Sequence, residues 1–402
     1  MLKVDTAKRG GAKGHVVLTS ALYYPNVGGV ENSLRHLAQE LRGMGYRPWI
    51  LTSSGGVADG QSQLLSCVRI DGIPVLRYRF SPIFPVRVFR ACCAARTLAR
   101  RTGATSAIAR DHAGALAVAA VGLRGVYLVP GIAAVQHRPT GSNALRWLNH
   151  YASVLSQRLA FRMIDRVAVF SAFMGASVLR AGGPREIQMV RPGVDPARFR
   201  PSSSDAARRI RENLGIPWGA RVAVSVGRLS DQKRFDLLVR AIATMGDEWH
   251  LILVGDGPRE AALKNLAGEV GAAERMHFVG RSPAPERYLG CGDVFVLSSD
   301  YEPFGQVLVE AMACGLPVAA FDPTNPAVNT ATAEIVPDRW LALAAQLEPA
   351  DLAESVQRAG RVRDGRDEIA AWAREQFSWR RLALDLLQSP GESAPCTREG
   401  PP

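Results

Sequence analysis

Two cations stand close together in a short segment that follows a predicted strand and precedes a predicted helix. Arg228 and Lys233 lie in GRLSDQKRFDLL, residues 227–238, and Lys233 is one of only five lysines in the 402-residue chain. A guanidinium binds phosphate oxygens in pairs and an ammonium acts as a point charge, so such a loop can clamp a diphosphate. Taken alone, the same two residues also fit an ordinary solvent-exposed loop.

Two carboxylates follow in YEPFGQVLVEAMACGLPVAAF, residues 301–321. We expect Glu302 in the loop after a strand and Glu310 within the next helix, and their separation corresponds to about 12 Å of helix. That distance is similar to the length of a nucleotide sugar from its sugar to its ribose, so the two carboxylates can bracket one such ligand. Backbone amides between them would face the middle of the ligand. These amides belong to Phe304, Gly305 and Gln306.

A third candidate is the pair Gly28-Gly29, at the end of the first predicted strand and the start of a helix. Glycine lets the backbone approach a ligand closely, and a helix N-terminus favours an anion. Glu31 lies in the same first turn, where the helix dipole also favours a carboxylate. The pair therefore fits either a phosphate contact or a tight turn from strand to helix.

The elements that must position these residues alternate between strand and helix in both halves of the chain. Apolar runs bounded by turn residues predict strands, and helical spacing of apolar residues predicts helices. The predicted strands lie at 15–21, 47–52, 105–110, 125–130, 166–171, 250–258, 276–280, 294–299 and 317–321, and residues 221–230 are predicted as a strand and the loop after it. The predicted helices lie at 32–45, 86–101, 144–161, 235–245, 259–270 and around Glu310, and residues 60–80 show no regular pattern.

Proline, serine and charged residues accumulate at 192–219, as at a domain boundary, and the strand–helix alternation restarts after them. The fold class is therefore α/β, with two Rossmann-like domains facing across a cleft. Ligands of such sheets bind at the carboxyl ends of the strands. The three candidate groups all follow predicted strands, so we expect them at that edge.

Composition and charge narrow the function classes. Apolar residues make up 47% of the chain and charged residues 21%, which excludes wholesale disorder. No run approaches the ~18 apolar residues of a membrane span, and the basic segment 1–14 lacks the apolar core of a secretory signal. The six cysteines show no CxxC pair or Cys/His spacing typical of zinc. We therefore expect a cytoplasmic protein with reduced thiols.

The net charge of +12 is unevenly distributed. Residues 1–200 hold 27 basic and 9 acidic residues, a net charge of +18, whereas residues 201–402 hold 22 and 28, a net charge of −6. A basic half suits a phosphate-bearing substrate, an anionic membrane or nucleic acid. Few aromatic residues stand among the arginines and no known nucleic-acid module is present, so no nucleic-acid partner is expected.

Several segments together follow one family pattern. They are GR…K at 227–233, VGDGP at 254–258, FVGR…YLGCGDVFVLSS at 278–299, EPFG…EAMACGLPVAA at 302–320 and YYPNVGGVENSLRHLAQEL at 23–41. With these motifs the chain resembles a retaining family-4 glycosyltransferase of the GT-B fold, most strongly over 221–321. FSWRRLALDLL, 377–387, is similar to the closing helix of that family, which returns to the first domain.

The resemblance implies a division of the chain and a role for each matching residue. The implied segments are a flexible N-terminus 1–14, an acceptor-side domain 15–195, a donor-nucleotide-binding domain 196–376, a closing helix 377–388 and a flexible tail 389–402. Arg228 and Lys233 would hold the diphosphate and stabilise the leaving group. Glu302 would contact the hydroxyls of the donor sugar, and Glu310 those of the ribose.

The resemblance also assigns backbone contacts and the absence of a metal. Gly28 and Gly29 would approach the donor phosphates, and the base would lie against Val279-Gly280. The donor-binding set is completed by Phe304, Gly305 and Gln306. Members of the family need no metal or other cofactor, and this chain contains no Asp-x-Asp; two cations can replace the charge of a metal.

Two departures from the family pattern concern the same site. The family usually places a histidine beneath the donor sugar, and the matching position here is Pro130. His112, after the strand TSAIAR, is the catalytic candidate that would replace it, with His137 as the other nearby histidine; either also fits a packing role. The Gly-Gly-x-x-Glu stretch of the family is replaced by DPTNPAVNTATAE, 322–334, where Glu334 would stand in.

The function implied is transfer of a hexose from a nucleoside diphosphate sugar to an acceptor hydroxyl, with retention and without metal. The alternatives are an inactive nucleotide-sugar-binding protein, suggested by Pro130, and a nucleotide-sugar epimerase of the same fold. The acceptor would be anionic: a lipid-linked cell-surface saccharide or a soluble phosphorylated or natural-product precursor. Residues 82–101 are basic and amphipathic, and predict either peripheral contact with the inner face of an anionic membrane or a helix with a solvated arginine face.

Overall fold

The computed structural model describes residues 13–25, 28–55, 67–136, 143–362 and 365–388 of the chain. They form two compact units. The N-terminal unit runs through Phe170 and also includes Met174–Gly193 and the chain from Trp379 onward. The C-terminal unit comprises Ser171–Phe173 and Val194–Ser378. The division after Gly193 lies close to the boundary predicted after residue 195.

Strands and helices alternate along the N-terminal unit. The strands of its described part are β1 (His15–Ser20), β2 (Arg47–Ser53), β3 (Val68–Ile70), β4 (Ile73–Tyr78), β5 (Ser106–Ala109), β6 (Arg124–Leu128), β7 (Arg166–Val169) and β8 (Gln188–Met189). The helices are α1 (Gly29–Gly43), α2 (Phe84–Thr102), α3 (His112–Ala120), α4 (Ala133–Gln136), α5 (Ala144–Met163) and α6 (Ala172–Arg180), of which the last belongs to this unit from Met174 onward.

One sheet with the order β3-β4-β2-β1-β5-β6-β7-β8 forms the centre of this unit. Its neighbouring strands are parallel except for the pair β3 and β4. Consecutive residues Val16, Val17 and Leu18 of β1 are all buried, because parallel strands with helices on both sides have no solvent-facing surface. Strands β3 and β4 occupy 68–78, where the sequence shows no regular pattern.

The helices of the N-terminal unit lie on both faces of this sheet. Leu34, Leu37 and Leu41 of α1 pack against one face. Helices α2, α3, α5 and α6 pack against the other face. Helix α3 contacts both α2 and α5. Residues Ala113–Val118 of α3 are all buried, which is why this helix is apolar on every side.

The C-terminal unit repeats the alternation. The strands are β9 (Arg221–Val226), β10 (Trp249–Val254), β11 (Met276–Gly280), β12 (Val294–Leu297), β13 (Tyr301–Glu302), β14 (Val318–Phe321), β15 (Asn329–Thr330) and β16 (Leu341–Ala344). The helices are α7 (Ser204–Asn213), α8 (Phe235–Thr244), α9 (Glu260–Glu269), α10 (Pro285–Cys291), α11 (Gln306–Ala313), α12 (Thr332–Ile335), α13 (Pro349–Ala359) and α14 (Arg366–Gln376). A last helix, α15 (Trp379–Leu387), belongs to the N-terminal unit.

A parallel sheet with the order β11-β10-β9-β12-β14-β16 forms the centre of the C-terminal unit. The chain runs outward in one direction from β9 through β10 and β11, and in the other from β12 through β14 and β16. The order therefore reverses between β9 and β12, the point at which sheets of this kind bind ligands. In the N-terminal sheet the same reversal lies between β1 and β5.

Strands β13 and β16 are among the elements of the C-terminal unit that differ from the sequence-based prediction. Glu302, predicted in a loop, lies on the two-residue strand β13, which pairs with β15. Strand β16, whose sequence is LALA, is not predicted, because alanine and leucine favour helix. Its pairing with β14 at the sheet edge overrides that preference.

Substitutions in helix α15 test how much its packing contributes to the stability of the N-terminal unit. Leu382 is fully buried in the cluster that α15 forms with α1, whereas Leu384 on the same helix is 37% exposed. We expect Leu382→Ala to lower the free energy of unfolding by about 2–5 kcal/mol and Leu384→Ala to change it by less than about 0.5 kcal/mol. Urea denaturation of both variants measures this, and equal effects would contradict the packing of α15.

Candidate functional site

The structure brings together two of the residues that the sequence analysis singled out. Lys233 ends a short 3-10 turn, Asp231–Lys233, that follows β9, and Glu302 lies on β13, which follows β12. The Nζ atom of Lys233 contacts Oε2 of Glu302, and the two side chains are only 22% and 16% exposed. This largely buried ion pair sits where the strand order reverses between β9 and β12.

The backbone around Lys233 is fixed to the segment that follows β12. The Ser298 hydroxyl donates to the Lys233 carbonyl at 2.7 Å, and the Asp300 amide donates to the Gln232 carbonyl at 3.3 Å. Arg234 has a φ of 47°, in the left-handed region that non-glycine residues rarely adopt, and its guanidinium lies 3.5 Å from the Asp300 carboxylate. Strained positions of this kind concentrate at functional sites.

Arg228 shares the loop but not the ion pair. Its side chain is exposed, and it forms no ion pair within the described part of the chain. The loop itself is held tightly, because the Leu229 amide donates to the Asp256 carbonyl at 2.9 Å and a Cβ on Gly257 would lie 2.4 Å from the Leu229 carbonyl oxygen. Arg228 is thus a free cation on a rigid loop, at the same sheet edge as Lys233.

Glu310 lies in the middle of α11 and is partly buried. Burial raises its pKa to about 8; Arg198 acts in the opposite direction and Glu286 in the same direction. The Arg198 guanidinium is itself engaged by the Glu286 carboxylate at 2.9 Å, so little of its charge is left for Glu310. The site therefore contains a carboxyl group whose negative charge the protein compensates poorly.

The segment between the two carboxylates is only partly helical. Helix α11 begins at Gln306, so Phe304 and Gly305 form a turn rather than part of an eight-residue helical run. Gly305 has a φ of 79°, and a Cβ there would lie 3.1 Å from Cγ of Glu302. The turn therefore packs on the stem of Glu302, and the helical distance expected from sequence does not apply to these residues.

Val279 and Gly280, predicted to face a base, end strand β11. The Gly280 carbonyl accepts from the Gly255 amide at 2.9 Å. Gly280 has a φ of 73°, and a Cβ added there would meet nothing within 4 Å. The backbone turns at an open position on the same sheet edge, and the contact with a base stays a prediction.

In the N-terminal unit, a carboxylate occupies the position that the sequence assigned to a phosphate. A Cβ on Gly28 would lie 2.6 Å from Oε2 of Glu31, so that carboxylate covers the N-terminus of α1, while Gly29 is exposed. Burial raises the pKa of Glu31, and its own backbone N–H and Arg110 act in the opposite direction. The phosphate contact of Gly28 and Gly29 stays a prediction, and a bound anion would have to displace Glu31.

His112 is held by packing contacts. Its Nε2 lies 2.9 Å from the Ser153 hydroxyl of α5, and its ring stacks on Phe84 of α2 at 5.2 Å between centroids. These contacts join three helices through one imidazole and favour the packing role over the catalytic one, which stays a prediction. His137 lies outside the described residues.

Comparisons with known proteins identify the family of the chain. The model of the Glycosyltransferase Family 4 matches residues 27–198, and that of Glycosyl transferases group 1 matches residues 207–375. Together they cover every candidate residue named above. The chain belongs to glycosyltransferase family 4.

One curated relative of this family-4 chain is a D-inositol 3-phosphate glycosyltransferase of Mycolicibacterium gilvum. It is 39% identical over 150 residues, which cover 35% of this chain and 33% of the relative. Matches to other D-inositol 3-phosphate glycosyltransferases reach 52% of the relative's length. The chain thus spans between a third and about half of the curated relatives that it matches in this way.

Two solved structures establish the GT-B fold. Sucrose-phosphate synthase of Thermosynechococcus elongatus has a TM-score of 0.76 at 20% identity, covering 94% of this chain and 98% of that one. The HepE protein of Anabaena, solved in complex with UDP and glucose, has a TM-score of 0.72 at 21% identity, covering 93% and 98%. The predicted fold class, α/β with two Rossmann-like units, is confirmed.

The family's second glutamate region is used differently in this chain. The carboxylate of Glu334 accepts hydrogen bonds from the amides of Ala172 and Phe173, at 2.8 Å for the second, all within the C-terminal unit. These two bonds use one acceptor site on each carboxylate oxygen. Its suggested role as a substitute for the family glutamate stays a prediction.

Arg110 is a residue that the sequence analysis missed. It follows β5, at the reversal of the N-terminal sheet, and is only 4% exposed. Its Nη1 donates to the Leu128 carbonyl at 3.2 Å, its guanidinium lies over the Phe170 ring at 5.1 Å, and its Nε has no hydrogen-bond partner among the described residues. Burial lowers its pKa to about 10. The sequence could have indicated this residue, because an arginine directly after a buried strand lies at the edge of the sheet where ligands bind.

No group of three or more His, Cys, Asp or Glu side chains in the described ranges is arranged to hold a metal ion. Metal independence stays a prediction.

The raised pKa of Glu310 predicts a pH dependence of stability. The folded protein keeps this carboxyl protonated up to about pH 8, whereas the unfolded chain ionises it near its ordinary value of 4.5. Stability from this group therefore falls as pH rises between these values, by up to about 1.4 kcal/mol per pH unit. Glu310→Gln removes that loss. The free energy of unfolding of this variant, measured by urea denaturation, should therefore exceed that of wild type by an amount that grows from pH 5.5 to 7.5.

Glu269→Gln, at the exposed end of α9, is the matched control. The difference between its free energy of unfolding and that of wild type should stay the same across this pH range. A constant difference between Glu310→Gln and wild type across this range would show that Glu310 is ionised in the folded protein.

Proposed function

We propose that the protein is a retaining glycosyltransferase that moves a hexose from a nucleoside diphosphate sugar to an acceptor hydroxyl. The observation that carries this proposal is the contact between Lys233 and Glu302 at the reversal of the C-terminal sheet. A cation and a carboxylate side by side suit a ligand that carries phosphate next to sugar hydroxyls. Membership of family 4 supports the same reaction class.

The donor is proposed from the same unit of the chain. Arg228 and Lys233 bind the diphosphate, Glu302 accepts from the hydroxyls of the sugar, and Glu310 accepts from those of the ribose. Hydroxyl donors would supply the compensation that the Glu310 carboxylate lacks. That HepE was solved with UDP and glucose supports a nucleoside diphosphate sugar. Thermal shift with UDP, GDP, ADP and dTDP sugars identifies the base.

The proposed chemistry proceeds on one face of the sugar. The bond between the anomeric carbon and the phosphate oxygen breaks, and the acceptor oxygen forms its bond on the same side. The acceptor proton passes to an oxygen of the departing phosphate. Arg228 and Lys233 stabilise the negative charge that grows on the diphosphate, which is the largest contribution a protein can make to such a step.

The acceptor is proposed to be anionic, because the N-terminal half of the chain has a net charge of +18. A relative named for D-inositol 3-phosphate supports a phosphorylated acceptor. A lipid-linked saccharide at the inner face of the membrane would use the same positive field, and fits a cytoplasmic protein that binds the membrane peripherally. Activity assays with sugar phosphates and with lipid-linked acceptors separate these two acceptors.

Pro130 favours a second candidate, a protein that binds nucleotide sugars without transferring them. It stands where the family usually has a histidine beneath the donor sugar. Single-turnover assays separate the candidates, since an inactive binder would hold the donor and release neither free sugar nor nucleoside diphosphate above the uncatalysed rate.

Removing either cation should affect turnover more than donor binding. We expect Arg228→Ala and Lys233→Ala each to raise the activation barrier by roughly 2.7–4 kcal/mol, because their contact with the diphosphate strengthens as charge develops. Lys264→Ala is the matched control: this lysine is paired with Glu260 at 2.8 Å on the exposed face of α9, and its loss should leave kcat unchanged. Wild-type kcat in either site variant would refute the assignment.

Activity should persist in excess EDTA, because two cations already serve the diphosphate and the chain lacks Asp-x-Asp. The measurement is initial rate before and after chelation, followed by addition of magnesium or manganese. Loss of activity that either metal restores would show that a divalent cation takes part.

A further inference from the structure

The outward face of α5 carries a row of exposed apolar side chains. Six large apolar residues of this helix are between 45% and 68% exposed, and they recur at spacings of three and four residues. They are Leu145, Leu148, Tyr151, Leu155, Leu159 and Met163, which we call the α5 stripe. Single exposed leucines are normal on a protein surface, but a contiguous row marks a contact surface.

The inner face of the same helix carries several polar residues. Its buried residues include His150, Ser153, Ser156 and Gln157. The Gln157 amide donates to the Tyr127 hydroxyl at 3.0 Å and accepts from the Ala133 amide at 2.8 Å. These bonds fix the rotation of α5, so the leucines cannot turn inward without breaking them. A helix in contact with water on its outer side normally has the opposite polarity.

The surroundings of the α5 stripe are strongly basic. Arg146, Arg158 and Arg162 are exposed on α5 itself. Helices α2, α3, α5 and α6, which share one face of the sheet, contain nine arginines and no aspartate or glutamate. The exposed arginines of α2 are Arg96, Arg100 and Arg101. This layer of helices therefore presents apolar side chains and positive charge together.

We propose that the α5 stripe binds the surface of an anionic membrane, with α5 lying parallel to the bilayer plane. Leucines of the stripe would enter the boundary between headgroups and acyl chains, and the arginines beside them would reach lipid phosphates. Trp147 and Tyr151, with ring centroids 5.9 Å apart, would lie at headgroup level. No described helix is both long and apolar enough to cross a bilayer.

Charge decides against a second copy of the chain as the occupant. A symmetric dimer would bring the arginines of one layer against those of the other, whereas an anionic lipid surface neutralises them. The binding goes beyond the proposed function, since it does not depend on whether the C-terminal unit transfers a sugar.

The proposal differs from the membrane contact considered for residues 82–101, where the sequence predicted either that contact or a helix with a solvated arginine face. Of the apolar residues in that segment, Phe84 and Leu98 are buried in the core, and Phe89 is the most exposed at 69%. Helix α2 therefore contributes charge and one aromatic side chain, while the apolar surface comes from α5.

Cosedimentation with vesicles of phosphatidylcholine, with and without phosphatidylglycerol, tests the proposal. We expect the wild-type chain to bind vesicles that contain phosphatidylglycerol, less so at high salt. The triple variant L148N/L155N/L159N should bind about tenfold or more weakly. The triple variant R146S/R158S/R162S should lose about a hundredfold in affinity for anionic vesicles only.

The control M189N/W218N/L384N removes three exposed apolar side chains elsewhere and should bind like wild type. Circular dichroism and thermal shift with UDP sugars confirm that each variant is folded and that donor binding is unchanged, which keeps this test separate from that of the glycosyl transfer. Absence of wild-type binding to anionic vesicles at low salt would overturn the proposal. So would unchanged binding of L148N/L155N/L159N, or a dimer in sedimentation equilibrium that this variant dissociates.

Discussion

The ion pair between Lys233 and Glu302 is the constraint on which the organisation of the C-terminal unit depends. It joins the segments that follow β9 and β12, the two neighbouring strands between which the strand order reverses. Both side chains are largely withdrawn from water, so each charge is tolerable only because the other is present. The backbone around this pair is held in place by the hydrogen bond from the Ser298 hydroxyl to the Lys233 carbonyl and by the left-handed conformation of Arg234.

Such a pair contributes little net stability but imposes a geometry. The attraction between the two charges is largely offset by the loss of their hydration, whereas removal of one partner leaves the other uncompensated. Sequence order places these residues 69 positions apart. The sheet brings them together because parallel strands deliver the residues that follow them to a common edge. The rigid loop that carries Arg228 adds a second cation at that edge without tying it to a carboxylate.

Much of the fold could be predicted because buried parallel strands appear in the sequence as short apolar runs. Strand β16 escaped prediction because its local sequence, LALA, favours a helix. At the site, the types of Lys233, Glu302 and Glu310 indicated charge chemistry, but the covering of the α1 N-terminus by Glu31 could not be foreseen. That arrangement depends on how a flexible side chain folds back over Gly28, which no spacing encodes.

The orientation of α5 shows a further limit of sequence reasoning. Its leucines recur at helical spacing, which by itself predicts that they face the core. The structure turns them outward because Gln157 and Ser153 have buried hydrogen-bond partners that the leucines cannot replace. A buried polar group without a partner costs more than an exposed leucine, so the polar contacts decide the rotation.

Each unit also keeps a poorly compensated charge near the reversal of its sheet or in the helix that follows. In the C-terminal unit it is Glu310, whose pKa burial raises to about 8, and in the N-terminal unit it is Arg110, whose pKa burial lowers to about 10. Groups of this kind lower the stability of the folded protein, and proteins retain them mainly where a ligand makes the missing interactions. Glu310 lies on the helix that follows the segment after β12, and Arg110 follows β5 directly, so each stands next to the sheet edge at which folds of this kind bind ligands.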